Sequence, residues 1–267
     1  MAEARPVLYR KEGHVATLTL NRPESLNAMN EALVAELEHC LLQAEADPEV
    51  RTVVLTGAGR GFCSGGDQKR TRDHEGQEKF FDGDLGGNVI ERLNRCVLRM
   101  QHLPKPIIGC INGVAVGAGC NLALATDIRI ASDAARFGEV FSRIGLVPDG
   151  GGTYFLPRLV GTAKALELIM LGDIIEAEEA HQIGLVNRVV PADQLQAETQ
   201  KLAERLANGP TLAHGLAKVG VYQAMNMSLE DTLNMEARNQ GIAGRSQDRV
   251  EGAAAFREKR QPNFVGR

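Results

Sequence analysis

Two glycine clusters stand where main-chain amides, rather than side chains, would do chemistry. Gly57-Ala-Gly-Arg-Gly-Phe-Cys-Ser-Gly-Gly66 follows an apolar run at Thr52–Thr56, and Gly113-Val-Ala-Val-Gly-Ala-Gly119 follows another at Pro106–Asn112. A turn between a strand and a helix start leaves N–H groups without partners. Two such turns aimed at one point stabilise an oxyanion with no side chain involved. Glycine also fills ordinary turns for packing reasons, so the spacing alone leaves both roles open. Asp149 precedes Gly150, a pair that turns commonly use and that acid–base chemistry can use as well. Cys63 and Cys120 lie in or beside the clusters. Thiol catalysis and a small buried filler are the two roles open to them, and the filler is the commoner.

Rival motifs fail on inspection. Gly57-Ala-Gly59 begins a dinucleotide-binding pattern, but its third glycine would fall at Phe62. No Gly-Lys-Ser/Thr, HExxH, zinc-type Cys/His spacing or G-x-S-x-G elbow occurs, so no metal is expected. Lys and Arg number 30 against 34 Asp and Glu, a balance that disfavours nucleic acid held through bulk charge. Aromatics are 4% with no Trp, which disfavours a stacking platform for single strands. No apolar run reaches the roughly 18 residues a membrane span needs, so none is expected. The first residues show no apolar signal core, and the cysteines are odd in number without a CxxC pair. A reducing, cytoplasmic compartment is therefore expected.

The elements that must hold these turns are legible in outline. Val15–Leu20 alternates and is β-rich, which predicts a strand ended by Asn21-Arg-Pro23. From about Met29 to Ala46, Leu33, Val34, Leu37 and Leu41 recur at helical spacing, closed by Asp47-Pro48. Thr52–Thr56 reads as a buried strand. Gln68 to Asn88 is charged and glycine-rich, a loop or short helix near an opening, with a solvated surface loop as the plainer reading. A helix is predicted over Val89–His102, a strand over Pro106–Asn112, a helix over Cys120–Thr126 and a strand over Asp127–Ala131. Strand, glycine turn and helix thus recur in an α/β pattern. Beyond about Asp193 the chain reads as helical. Asp193-x-x-Gln196, Ser228-x-x-Asp231 and Asp248-x-x-Glu251 are the predicted helix starts. The expected division is 1–195 for a core carrying the site and 196–267 for a helical oligomerisation region.

Phe62-Cys-Ser-Gly-Gly-Asp67 and Asn112-Gly-Val-Ala-Val-Gly-Ala-Gly-Cys-Asn121 resemble the two oxyanion-hole motifs of the crotonase (enoyl-CoA hydratase/isomerase) superfamily. The likeness continues through Asn21-Arg-Pro-Glu-Ser-Leu-Asn-Ala28 and Gly145-Leu-Val-Pro-Asp-Gly-Gly-Gly-Thr153. It extends to Gly184-Leu-Val-Asn-Arg-Val-Val-Pro191 and Phe256-Arg-Glu-Lys-Arg-Gln-Pro-Asn-Phe264, in the family's order. The resemblance implies a crotonase-like spiral β-β-α superhelix with a helical C-terminal trimerisation region. It implies a homotrimer or hexamer acting on an acyl-coenzyme A thioester. Coenzyme A then enters as part of the substrate, with no separate cofactor.

The resemblance places the two oxyanion donors on Gly66 N–H and Ala118 N–H. Leu26 and Ala28 fall in the segment that meets the adenine and pantetheine. Ser64, Asp67 and Gln68, beside the first donor, are expected among the substrate- and coenzyme A-binding residues, with Asp67 chiefly bracing the loop. Phe256 and Lys259 match residues that often reach a neighbouring subunit's coenzyme A. Hydratases of the family hold water with two glutamates, and those positions are Asn121 and Phe141 here. Isomerases place an acid where this chain has Asp149, so Asp149 is the expected proton shuttle and Phe141 an apolar wall of the acyl pocket. Glu139 is a second candidate, two residues from the usual place. Tyr154 and Phe155 are expected mainly to pack.

Within the family, Ile144-Gly-Leu-Val-Pro-Asp149, Leu156-Pro-Arg158, Ala243-Gly-Arg-Ser246 and Lys259-Arg-Gln-Pro262 resemble the ring-1,2-epoxyphenylacetyl-CoA isomerase branch. Gly65-Gly-Asp-Gln68 departs from it and is similar to the naphthoate synthase and ring-cleaving hydrolase branches. The chemistry follows from acidity. A thioester α-proton is too weakly acidic for a carboxylate base unless the enolate is stabilised, and each N–H donor contributes about 3–4 kcal/mol to that. Double-bond or ring-epoxide isomerisation is the expected reaction. Its rivals are hydration by a non-standard acid set, and a non-catalytic coenzyme A- or RNA-binding structural protein.

Overall fold

A computed structural model describes residues 5–67 and 87–267. The predicted loop from Gln68 falls almost wholly outside the described residues. Val7–Glu12 (β1) and Val15–Leu20 (β2) form an antiparallel hairpin around Gly13, whose φ of +55° suits a tight turn. β1 had no clear alternation to announce it. Thr52–Gly57 (β3), Ile107–Ile111 (β5), Ile128–Ser132 (β7) and Arg188–Val190 (β10) continue from β2 in parallel, giving a six-stranded sheet. A second sheet of four strands runs Gly61–Cys63 (β4), Val114–Val116 (β6), Arg136–Gly138 (β8), Ile174–Glu176 (β9).

The two sheets come from one repeated move. β3 turns directly into β4, β5 into β6 and β7 into β8, and a helix follows before the chain returns to the larger sheet. This is the expected β-β-α spiral. The helices between are Glu31–Ala46 (α1), Gly87–His102 (α2), Ala118–Leu124 (α3), Gly152–Val160 (α4), Thr162–Leu171 (α5) and Ala177–Gln182 (α6). Leu195–Ala207 (α7), Thr211–Ala224 (α8), Leu229–Ala243 (α9) and Gln247–Glu258 (α10) complete the chain.

Both faces of the larger sheet are covered, which is why β3 and β5 are buried throughout instead of alternating between buried and exposed. Val53 and Leu55 face the main core with Leu33, Leu37 and Leu41 of α1 and Cys96 and Met100 of α2. Val54, Ile108 and Cys110 face the other way, under Leu195, Leu202, Ala203 and Ala207 of α7. The helical spacing of those four residues lays one stripe of α7 along the sheet.

Several predicted boundaries shift for physical reasons. α3 starts at Ala118, two residues before the predicted Cys120. Asp193 caps nothing: α7 begins at Leu195 after Gln194, with no side-chain cap. Asp248 is likewise no cap. Ser246 takes that place, its hydroxyl accepting from Arg249 N at 3.0 Å, while the buried Asp248 carboxylate accepts from Val265 N and Gly266 N at 2.7 and 2.9 Å. The aspartate had a better use, pinning the chain end. Ser228 caps α9 as predicted, accepting from Asp231 N.

A buried ion pair seats α8. Lys218 Nζ lies 2.8 Å from Asp127 Oδ2, and Tyr222 donates to Asp127 Oδ1 at 3.0 Å. Ile107 N also donates to that carboxylate, at 2.7 Å. Asp127→Ala strands the Lys218 ammonium in the interior. It is expected to lower unfolding stability by about 3–5 kcal/mol in urea titration, with most of the loss recovered by adding Lys218→Met.

Candidate active site

The two glycine clusters meet. β4 and β6 pair in parallel, Cys63 opposite Ala115. A Cβ built on Gly119 would collide with Cys63 O, and one on Gly65 would sit 3.0 Å from Val116 O and 3.6 Å from Ala118 N. Glycine at these two positions is therefore what lets the turns close on each other. Gly65 also has φ +90°, a conformation side chains resist.

The same contacts aim the amides. Met29 N donates to Gly65 O at 2.7 Å, and Asp67 N donates to Met29 O at 2.9 Å. The peptide joining Gly65 to Gly66 is trans, so with its carbonyl held by Met29 its N–H points the opposite way. Ala118 is the first residue of α3, where a helix has no internal acceptor for the N–H. Gly117 N donates to Gly138 O at 2.8 Å, which fixes the turn just before it.

Asp149 is tied to that helix start. Asn121 sits one turn into α3, and its Nδ2 donates to Asp149 O at 2.8 Å. A Cβ on Gly152 would collide with the Asn121 amide, so the loop before α4 rests directly on this side chain. The Asp149 carboxyl is mostly buried, and its Oδ1 has no hydrogen-bond partner. Burial pushes it up to about 6, against its own backbone N–H, which favours the charged form. Phe141 is buried, and a Cβ on Gly117 would lie 3.7 Å from its ring. Leu93 of α2 approaches Gly150 from the other side.

The remaining predicted residues divide. Leu26 is left-handed (φ +52°) at the end of a 3-10 turn, and its carbonyl accepts from Ser64 N at 3.0 Å. Ser64 Oγ donates to Ser25 O, and Ala28 is buried beside them. Asp67 is paired with Arg22 at 2.8 Å, and Arg22 Nη1 also donates to Ala28 O. The Leu26–Ala28 segment is thus clamped to the first glycine turn by an ion pair. Nothing in the local sequence marks this role of Arg22, because its partner lies 45 residues away. Gln68 lies outside the described residues. Phe256 and Lys259 are at the end of α10, where Phe256 is 86% exposed and Lys259 closes the helix with φ +55°. Tyr154 and Phe155 of α4 pack edge to face, with Arg158 over the Tyr154 ring at 3.8 Å.

Asn121 and Glu139 also gain meaning. Asn121, read as a lost glutamate, is a buried strut between α3 and Asp149. Glu139 is 1% exposed, and burial carries it up to about 7. Among the described residues no three His, Cys, Asp or Glu side chains converge as a metal site.

Two glycine turns thus meet near a mostly buried carboxyl raised above its ordinary value and beside the apolar Phe141. The enoyl-CoA hydratase/isomerase family matches residues 10–267. The chain belongs to the enoyl-CoA hydratase/isomerase family. It is 45% identical to the 1,2-epoxyphenylacetyl-CoA isomerase of Escherichia coli over 262 residues, covering 98% of each chain. It is 40% identical to a probable enoyl-CoA hydratase of Rhodobacter capsulatus, again over 98% of each. A solved enoyl-CoA hydratase of Bacillus anthracis superposes with a TM-score of 0.90 at 34% identity, over 98% of this chain and 100% of that one. Members of the enoyl-CoA hydratase/isomerase family in this comparison thus carry both reaction names.

Two outcomes follow from the geometry. Gly65→Ala is expected to cost this family member about 10²-fold or more in kcat through a displaced amide. A near-native circular dichroism spectrum would show that the fold survives. All five cysteines are buried, and burial pushes Cys63 and Cys96 up to about 12. A thiol-reactive disulfide at pH 8 is therefore expected to label none of them until denaturant is added.

Proposed function

We propose that this chain isomerises unsaturated acyl-coenzyme A thioesters, moving a double bond or opening a ring epoxide through an enolate. The observation that carries the reading is the placement of Asp149. Its carboxyl is mostly buried, with Oδ1 lacking a hydrogen-bond partner among the described residues, and its main-chain oxygen is held by Asn121 to the helix whose first N–H is Ala118. The positions where hydratases of the family hold water are occupied by Asn121, which is committed to Asp149 O, and by the apolar Phe141. The name of the Escherichia coli relative supports the same reaction type.

The thioester oxygen sits between Gly66 N–H and Ala118 N–H. Asp149 carboxylate removes a proton from the α-carbon of a 3-enoyl thioester. The electron pair spreads over the carbonyl and the double bond as a dienolate, and the two amides hold its negative charge. The same carboxyl returns the proton at the γ-carbon, giving the 2-enoyl product with no net gain or loss of atoms. No group beyond the substrate's own coenzyme A takes part. A carboxyl near 6 suits this shuttle, since it is mostly ionised at neutral pH yet basic enough to take a proton.

The same reading extends to assembly. Val147, Met170, Leu171, Leu229, Val250 and Phe256 are large apolar residues left exposed. They support the trimer or hexamer that the resemblance implies, with Phe256 and Lys259 reaching a neighbour's coenzyme A. Hydration is the second reading, favoured by the names of the Rhodobacter capsulatus and Bacillus anthracis relatives.

Asp149→Asn is expected to lower isomerisation of a 3-enoyl-CoA by about 10²–10⁴-fold while thioester binding by calorimetry persists. Full activity in that variant would remove Asp149 from the mechanism. In the wild type the base must be ionised, so kcat is expected to rise with pH through about 6. Loss of crotonyl-CoA absorbance at a rate matching isomerisation would instead favour the hydratase reading.

A further inference from the structure

The cluster beside Asp149 holds a second carboxyl for which this reaction has no stated use. Glu139 follows β8 and is almost wholly buried. Among the described residues neither of its oxygens makes a hydrogen bond of good geometry, the Cys120 thiol and the Asn121 amide being the donors that face it, and Asn121 Oδ1 and Asp149 Oδ1 are buried without a partner as well. Asn121 joins the two acids. Its Nδ2 donates to Asp149 O at 2.8 Å, and its amide lies against the Glu139 carboxyl. The two carboxyls are close enough to feel each other's charge.

Buried acceptors without donors are costly, and acceptors gathered in one place call for a proton. A thiol is a weak donor, so Cys120 answers little of that need. A protonated carboxyl supplies an O–H where the cluster lacks one. We propose that Glu139 holds this proton while Asp149 works as the base, so that Glu139 is a positioning residue. Neutral Glu139 donates within the cluster, steadies the Asn121 amide and through it the Asp149 peptide, and keeps a second negative charge away from the enolate. This role rests on the reading of Asp149 as the proton shuttle.

The surroundings agree. Burial is the main cause that moves Glu139 up to about 7, opposed by the Cys120 thiol and the Asn121 amide, with the Asp149 charge adding to the rise. Among the described residues the titratable groups that face it are Cys120 and Asp149. Cys120 of α3 is itself held well above its ordinary value by burial, and Arg129 acts on that thiol. Next to β9, Asp173 is turned outward, 4.0 Å from Arg143. Asp149 lies on the loop before α4.

The sign is as follows. Asp149 must lose its proton for activity, and Glu139 must keep its own. The rate should therefore rise through about 6 and fall above about 7. Glu139→Gln keeps the shape and carries a permanent N–H donor. Its alkaline limb is expected to move up by roughly one pH unit or more, whatever the height of its optimum. An alkaline limb left in place overturns the proposal.

Carboxyl NMR of the full-length wild type, with labelled glutamate, gives a readout independent of that variant. Glu139 is expected to titrate near 7 and to move lower in Asp149→Asn, where the neighbouring charge is gone. A Glu139 that titrates at the ordinary glutamate value of about 4.3 removes this role alone. Full activity in Asp149→Asn removes the base, and this role with it, wherever Glu139 titrates.

Discussion

At Gly119 the first turn of α3 lies on the carbonyl of Cys63, and at Gly65 the preceding loop lies on the carbonyl of Val116. Main chain touches main chain there, with no side chain between. This contact sets how far apart the Gly66 and Ala118 amides stand, and the rest of the molecule serves it. The smaller sheet brings β4 and β6 into register beneath the contact. The larger sheet, closed on one side by α1 and α2 and on the other by α7, keeps the smaller sheet from shifting. A close-packed interior transmits little give, so the spacing of the two turns is fixed by the fold, as the proposed oxyanion role requires.

Burial around the second glycine turn and Asp149 bears on the chemistry we propose. Ala118 is shielded from water, which in the proposed reaction would strengthen the pull of its amide on a developing negative charge, whereas Gly66 stays exposed. Burial also raises the Asp149 carboxyl, which in the proposed reaction would make it a better base. The same burial carries a cost in stability, because an ionised Asp149 is less welcome in the folded chain than in the unfolded one. Asn121 limits that cost to the carboxyl, since the Asp149 main chain is hydrogen-bonded. The Arg22–Asp67 pair holds the Leu26–Ala28 segment against the first turn.

Helix α1 was legible from Leu33, Val34, Leu37 and Leu41, and β2 and β3 from their β-branched runs, because burial with a fixed period leaves its mark in local order. The three-residue strands of the smaller sheet had no such mark. Three residues cannot show an alternation, and their pairing partners lie tens of residues away. The predicted caps at Asp193 and Asp248 failed for a related reason. A local capping pattern competes with distant partners, and for Asp248 the chain end offered two backbone amides.

The amino-acid order by itself determined where backbone could come close. A glycine or a small residue is a local property, so both turns, and the acid at Asp149 just before Gly150, could be marked without a fold. Only the folded chain decided what those residues face. It turned Asn121 from a missing acid into a strut, gave Arg22 its partner in Asp67, and buried Glu139 beside a second carboxyl. Each of these depends on solvent exclusion and on contacts between segments far apart in the chain, and neither quantity is a property of any one residue or of its neighbours in sequence.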